Sequence, residues 1–428
     1  MRVLFVTNPF RAHLYVQVPL AWALRTAGHE VVVAGPPDLA DAIARTGLPG
    51  IAVGDPLNLE AMLAAGPPPD DPTCDPRGTS TGRSVQEDYC WGDALTEIQD
   101  LTGGVRQVFF PERTFEDLIG FARQWRPDLV ISDPTAFPGT VAAKVVGAAH
   151  ARMTLNVDRT AQLRAALRER FAAGTPDPMR DWLEPILARH GVEFDESAVL
   201  GQWTVNPVPG WIGQTPGVHY LPMRAVPFNG PASTPRWVYE PPTRPRVVIT
   251  QGISHRDASV SGVSSAVRNL FEAVEGLDAE VVATLDAKQL DGATVPDNVR
   301  TVDFVPFTSL LPGGCAAIVH EGGVGSFATA LENAVPQVIV PNDFRSEKWW
   351  GPVAIGTGLE ARGAGVYAAN SSTLTPAVLH DGLKRILDDP SYAANAARLR
   401  SEVRAMPSPN ELVPALERLT AEHRTARP

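Results

Sequence analysis

The chain has 428 residues, 44 % of them hydrophobic, which is long for one domain and apolar enough to bury two cores. Its formal net charge of -11 argues against the basic face that nucleic-acid binding requires. Its three cysteines, Cys74, Cys90 and Cys315, stand in no CxxC spacing and make neither a disulfide framework nor a cysteine zinc site.

In chain order, MRVLFVTNPF opens with a short buried strand ended by Asn8-Pro9, and it is too short for the apolar core of a secretory signal. No stretch approaches the ~18 apolar residues of a membrane span, so a soluble, cytoplasmic protein with no membrane partner is expected. Residues 14–26 carry apolar positions at helical spacing and stop at Ala27-Gly28. EVVVA is a second strand, Pro36-Pro37 a break, and LADAIARTG a helix ending at Gly47. The alternation recurs over 111–155, with a helix around Phe115–Trp125, the strand DLVIS, a helix from Phe137 and the strand HARMTL. Such alternation predicts a parallel sheet covered by helices on both faces. Residues 160–200 read as helical with one solvated, charged side. Residues 205–245 are dense in proline (VNPVPGW, FNGPASTPRW, YEPPTRPR) and read as irregular structure running into a linker. From Arg246 the alternation restarts with RVVITQG, a helix near 262–275, AEVVATL, NVRTVDFV, CAAIVH, a helix after Gly325, and PQVIVP. The expected fold class is α/β with two doubly wound domains, over 1–225 and 246–408, joined by a linker over 226–245 and followed by a final helix within 409–428.

The junction CAAIVHEGGVGSFATALENAVPQVIVP concentrates the chemistry. A strand ends at His320 and a helix begins after Gly325, with Gly322, Gly323, Gly325 and Ser326 between them. Glycines let backbone approach a ligand closely, and free amides at a helix start favour an anion. The expected ligand is a phosphate or diphosphate; an unliganded glycine-rich turn is the plainer alternative. No GxxxxGK[ST] string occurs, which removes a Walker A loop. The first loop, Thr7 to His13, holds no glycine, which removes the strongest argument for a dinucleotide-dependent oxidoreductase. No Asp-x-Asp occurs either, so the two-carboxylate grip on a nucleotide-bound metal is missing, and diphosphate charge falls to amides, the helix dipole and His320.

The run from His320 through Pro336-Gln337 resembles the signature of GT-B glycosyltransferases of family 1. HLYVQVPLAWALRTAGHEV, FARQWRPDLVISDP, GQWTVNPVPG, MRAVPFNGP and PDNVRTVDFVPFTSLLP extend the resemblance along nearly the whole chain. They resemble the actinomycete transferases that place deoxysugars on polyketide antibiotics, of the erythromycin desosaminyl and spinosyn rhamnosyl type. The resemblance implies a GT-B fold of two Rossmann-like domains facing a cleft, with the final helix returning to the first domain. It implies a dTDP-deoxysugar donor, a polyketide, macrolide or aromatic aglycone acceptor, inversion at the anomeric carbon, and no metal or other cofactor. It also admits a cytochrome-P450-like helper protein and a homodimer as partners.

Transfer to an alcohol needs a base near the acceptor and stabilisation of the departing diphosphate. His13 follows the first strand, and an imidazole titrates near neutrality; the resemblance makes it the general base. The alternative is a histidine that caps the next helix. Asp133 ends the strand DLVIS and either orients His13 or caps the helix from Phe137. The resemblance brings Gly252 and Ser254 to the diphosphate and Val305 and Pro306 to the pyrimidine base, against ordinary loop packing. Two positions depart from close relatives, which carry His-His-Gly-Gly and an acidic donor-sugar residue. Here the second His is Glu321, a negative charge beside the diphosphate site unless it points away or contacts the acceptor or the donor sugar, and Arg345 stands in the sugar loop with Asp343, a substitute for the acidic residue, two positions earlier. A C-glycosyltransferase of the same fold and a GT-B binding or scaffold subunit stay open. The acceptor pocket is expected from segment 55–110 and loops near 135–180.

Overall fold

The computed structural model describes residues 1–57, 91–104, 109–258, 265–290, 292–341, 351–369 and 374–425. The chain divides into two compact units, Met1–Met223 with Pro407–Pro428, and Arg224–Met406.

The first unit is built on seven parallel strands, β1 (Arg2–Val6), β2 (Glu30–Gly35), β3 (Gly50–Ala52), β4 (Leu129–Ser132), β5 (Ala149–Met153), β6 (Trp203–Asn206) and β7 (Tyr220–Pro222). Their spatial order is β3-β2-β1-β4-β5-β6-β7. The apolar run of β1 is buried from Val3 to Val6, as a strand covered on both faces must be. β6 and β7 lie where the proline density suggests irregular structure. Trp203 is buried at the head of β6, and β7 is the edge strand, where Pro222 costs no ladder hydrogen bond to a further neighbour. The helix after β1 starts at Arg11, earlier than apolar spacing suggests, and so includes His13 in its first turn. The final helix, Pro409–His423, opens with a capping box between Ser408 and Glu411 and packs on helix Arg11–Thr26 and β5.

A buried ion pair fixes the far side of this sheet. Arg152 on β5 donates to both oxygens of Asp158, at 3.0 and 2.6 Å, and also to the Leu200 carbonyl and Thr204. Asp158 further accepts from the Tyr220 hydroxyl at 2.9 Å and from the Ala161 amide, as N-cap of helix Arg159–Ala172. Burial and the Asp158 charge push the Tyr220 hydroxyl up to about 12, so it stays a donor. The paired side chains are 1 % and 2 % exposed. Asp158→Ala would strand a buried guanidinium and delete a cap, for an expected loss of roughly 3–5 kcal/mol of stability. Urea unfolding followed by circular dichroism measures it, and a loss below about 1 kcal/mol would show that the pair is dispensable.

The second unit holds six parallel strands, β8 (Arg246–Thr250), β9 (Glu280–Thr284), β10 (Val299–Val302), β11 (Cys315–His320), β12 (Gln337–Ile339) and β13 (Gly365–Tyr367), in the order β10-β9-β8-β11-β12-β13. The stretch read as a linker does not hang free. Val238 is fully buried with Val248, Val282 and Ile318, and Trp237 packs beside it under the guanidinium of Arg300, 4.4 Å from the ring. An apolar pair amid prolines is withdrawn from water by folding back onto the unit that follows. No helix among the described residues is long and apolar enough to cross a membrane.

Candidate active site

Each open sheet reverses its strand order once, between β1 and β4 in the first unit and between β8 and β11 in the second. Loops leaving such neighbours at their C-terminal ends diverge to opposite faces and leave a crevice for ligands. Of the sequence-derived site residues, His13 and Asp133 stand at the first of these points, and Gly252 with the run His320–Ser326 at the second.

In the first unit Val6 stands opposite Ser132, so the segments after β1 and β4 emerge side by side. His13 Nδ1 lies 2.6 Å from Asp133 Oδ2, with the two side chains 2 % and 1 % exposed. The other carboxylate oxygen accepts from the Thr135 amide at 2.9 Å and from the Thr135 hydroxyl at 2.7 Å. Thr135 Oγ1 accepts in turn from Asn8 Nδ2, and Asn8 Oδ1 accepts from the Phe10 amide. One chain of hydrogen bonds therefore ties the two loops together around the imidazole. With Asp133 ionised, Nδ1 carries the proton and donates it, leaving Nε2 as the basic nitrogen. The Phe10 ring sits 5.9 Å from the imidazole, centre to centre. Neither capping alternative is realised: the residues before helices Arg11–Thr26 and Phe137–Val146 are Phe10 and Ala136, without side-chain caps. His150, on β5, is buried against Ser132, and burial pushes it down to about 3.

In the second unit Ile249 pairs with Val319, which places Gly252 and the turn from His320 at one edge. His320 is buried, donating from Nε2 to Gln337 Oε1 at 2.9 Å and accepting at Nδ1 from the Gly322 amide at 3.1 Å. Burial pushes it down to about 4, so the ring is neutral near pH 7, as this pairing of one donor and one acceptor requires. One ring nitrogen is thus engaged by the turn's own backbone and the other by Gln337 at the head of β12. Gly322 has φ +87°, and a Cβ there would lie 2.6 Å from Pro352 Cβ, so glycine is obligatory. Gly323 caps helix Val324–Glu332, in whose first turn Gly325 is exposed and Ser326 buried.

Glu321 projects into this turn. A Cβ on Gly252 would lie 2.0 Å from its Oε1 and one on Gly323 2.2 Å, so the carboxyl touches both glycines. Burial pushes the carboxyl up to about 7, against the opposing pull of the Glu321 and Gly323 amides.

The remaining residues are placed less tightly. Ser254 is exposed in the short helix Gly252–Ala258. Arg256 of that helix donates to Asp303 at 3.0 Å and so ties it to the loop that carries Val305 and Pro306. The Val305 side chain is packed in the core with Val248 and Leu310, and Pro306 beside it is also buried. Asp343 and Arg345 lie outside the described residues, as do Cys74, Cys90 and most of segment 55–110. Sequence reasoning missed Asn8, Thr135 and Gln337; their signals are the Asn8-Pro9 strand end, a threonine two residues past Asp133, and a polar residue at the head of an apolar strand. Among the described residues no group of three or more His, Cys, Asp or Glu side chains is arranged to hold a metal ion.

Comparison with known proteins agrees with this layout. Residues 22–252 match the N-terminal domain of the family described as erythromycin biosynthesis protein CIII-like, and residues 268–419 match its C-terminal domain. The chain is 43 % identical to the aclacinomycin-T 2-deoxy-L-fucose transferase of Streptomyces galilaeus, over 100 % of this chain and 98 % of that one. It is 40 % identical to the 3-alpha-mycarosylerythronolide B desosaminyl transferase of Saccharopolyspora erythraea, over 100 % of both chains. Among solved structures, the glycosyltransferase VinC in complex with dTDP superposes with a TM-score of 0.84 at 37 % identity, covering 99 % of this chain and 100 % of that one. With two Rossmann-like units and both family domains in sequence order, the chain belongs to the erythromycin biosynthesis protein CIII-like glycosyltransferases, of the GT-B fold.

Proposed function

We propose that the chain transfers a 6-deoxysugar from a dTDP-sugar to a hydroxyl of a polyketide-type aglycone, inverting the anomeric carbon and using no metal ion. The observation that carries this reading is the buried His13–Asp133 pair at the strand-order reversal of the first unit. Asp133 keeps the proton on Nδ1, so Nε2 takes the acceptor's hydroxyl proton as that oxygen attacks the anomeric carbon. The bond from that carbon to the diphosphate breaks on the opposite face, dTDP departs with the electron pair, and Asp133 stabilises the imidazolium. The first-turn amides of helix Val324–Glu332, with the Ser326 hydroxyl, are suited to the diphosphate charge, in keeping with a sequence that lacks Asp-x-Asp. The names of the aligned relatives support a deoxysugar and a polyketide-type acceptor, and the dTDP complex of VinC supports the nucleotide.

Thermal unfolding with dTDP and with NAD checks the donor class. At a hundredfold excess over Kd, dTDP is expected to add roughly 2.7 kcal/mol, a rise of several degrees, and NAD none. Mass spectrometry of products from a panel of dTDP-deoxysugars and polyketide aglycones then identifies the pair. Indifference to every nucleoside diphosphate would sink the reading.

A further inference from the structure

The Glu321 side chain has no role in the mechanism above, yet it occupies the second unit's reversal point. Its Oε1 is wedged against Gly252 and Gly323, two backbone positions that carry no Cβ to displace it. Its Oε2 is buried and has no hydrogen-bond partner among the described residues. The adjacent helix Val324–Glu332 offers first-turn amides to an anion. A carboxylate and a diphosphate would there compete for the same positive end, whereas a neutral carboxylic acid has an O–H to give to a phosphate oxygen.

We propose that Glu321 makes donor binding proton-coupled: the donor complex holds this carboxyl as the neutral acid, its O–H donating to a diphosphate oxygen. The inference rests on the diphosphate reading of this turn. Among the described side chains, few other charges face the carboxyl. His320, at the end of β11, is held neutral by burial. Arg256, in helix Gly252–Ala258, is engaged by Asp286 at 3.7 Å and Asp303 at 3.0 Å. On the helix that begins at Pro352, Glu360 sits near the opposite end, beside Arg385. Asp343, Arg345, Glu347 and Lys348 lie outside the described residues.

The sign follows from the carboxyl's elevation to about 7 by burial. Below that pH the acid form is already present and binding takes up no proton. Above it each binding event takes up one, so affinity falls as pH rises. The test is calorimetric titration with dTDP-glucose, whose esterified diphosphate has no ionisation near neutrality, between pH 6 and 8.5. Binding by the parent chain is expected to be roughly fivefold weaker at pH 8 than at pH 7, with proton uptake seen as a dependence of enthalpy on the buffer. Glu321→Gln, which keeps the volume and a donor, is expected to bind at every pH with a flat profile and no proton uptake. A flat profile in the parent chain, or the same slope in both proteins, overturns the proposal while leaving the diphosphate site intact. No binding by either protein at any pH overturns the diphosphate reading and the proposal with it.

Discussion

His13→Ala is expected to lower transfer at saturating donor and acceptor by roughly a hundred- to ten-thousandfold, the range that a positioned base contributes. dTDP affinity should stay within about twofold, because His13 and the nucleotide turn belong to different compact units. Steady-state rates and calorimetry on the same preparation separate the two effects; undiminished turnover would refute the role of base. Asp133→Asn sharpens the test. Thr135 donates its amide to Oδ1, so the asparagine oxygen stays on that side and its NH2 group faces His13. That group donates to Nδ1, the ring proton moves to Nε2, and the nitrogen needed as base is blocked. The isosteric change is thus expected to cost nearly as much as removing the imidazole, with the fold unaltered.

Gly322→Ala is the second large effect expected, on the donor side. The methyl group would have to enter at φ +87° and lie 2.6 and 2.8 Å from Pro352 Cβ and Cα, where backbone and ring cannot yield cheaply. The conformational penalty alone is about 1–2 kcal/mol, and the clash forces the turn to move. Since the Gly322 amide is the group that holds His320 Nδ1, the imidazole loses its register together with the amides beside it. dTDP binding is expected to weaken at least tenfold, or roughly 1.4 kcal/mol, while the ion-pair network around Arg152 keeps the first unit folded. Calorimetry and two-probe thermal unfolding read these separately. Unchanged affinity would show that the turn does not hold the nucleotide.

Much of this was legible in the residues because both sheets are parallel and buried on both faces, so β1, β4, β8 and β11 appear as short apolar runs bounded by turn residues. Residues that end such runs, Asp133 and His320, stand at the ligand edge by topology alone. β6 and β7 were hidden for two reasons. Their three or four residues carry too little periodicity, and the prolines between and after them mimic a tether. The meeting of His13 with Asp133 across 120 positions followed from the sheet order, which no local pattern states. Glu321 was visible as a misplaced charge beside an anion site. Its contact with Gly252 was not, since it depends on β8 lying next to β11.

The final helix also bears on how the chain comes to be folded. Leu412, Leu416 and Leu419 are buried in a unit whose other residues end at Met223, and Arg424 reaches Asp128. During synthesis the first unit waits, with that surface uncovered, until some two hundred further residues have been made, whereas the second unit has its whole sequence available before the tail emerges. The part of the enzyme translated first is therefore sealed last. Removing the tail would leave the second unit whole and uncover an apolar face of the helix that carries His13.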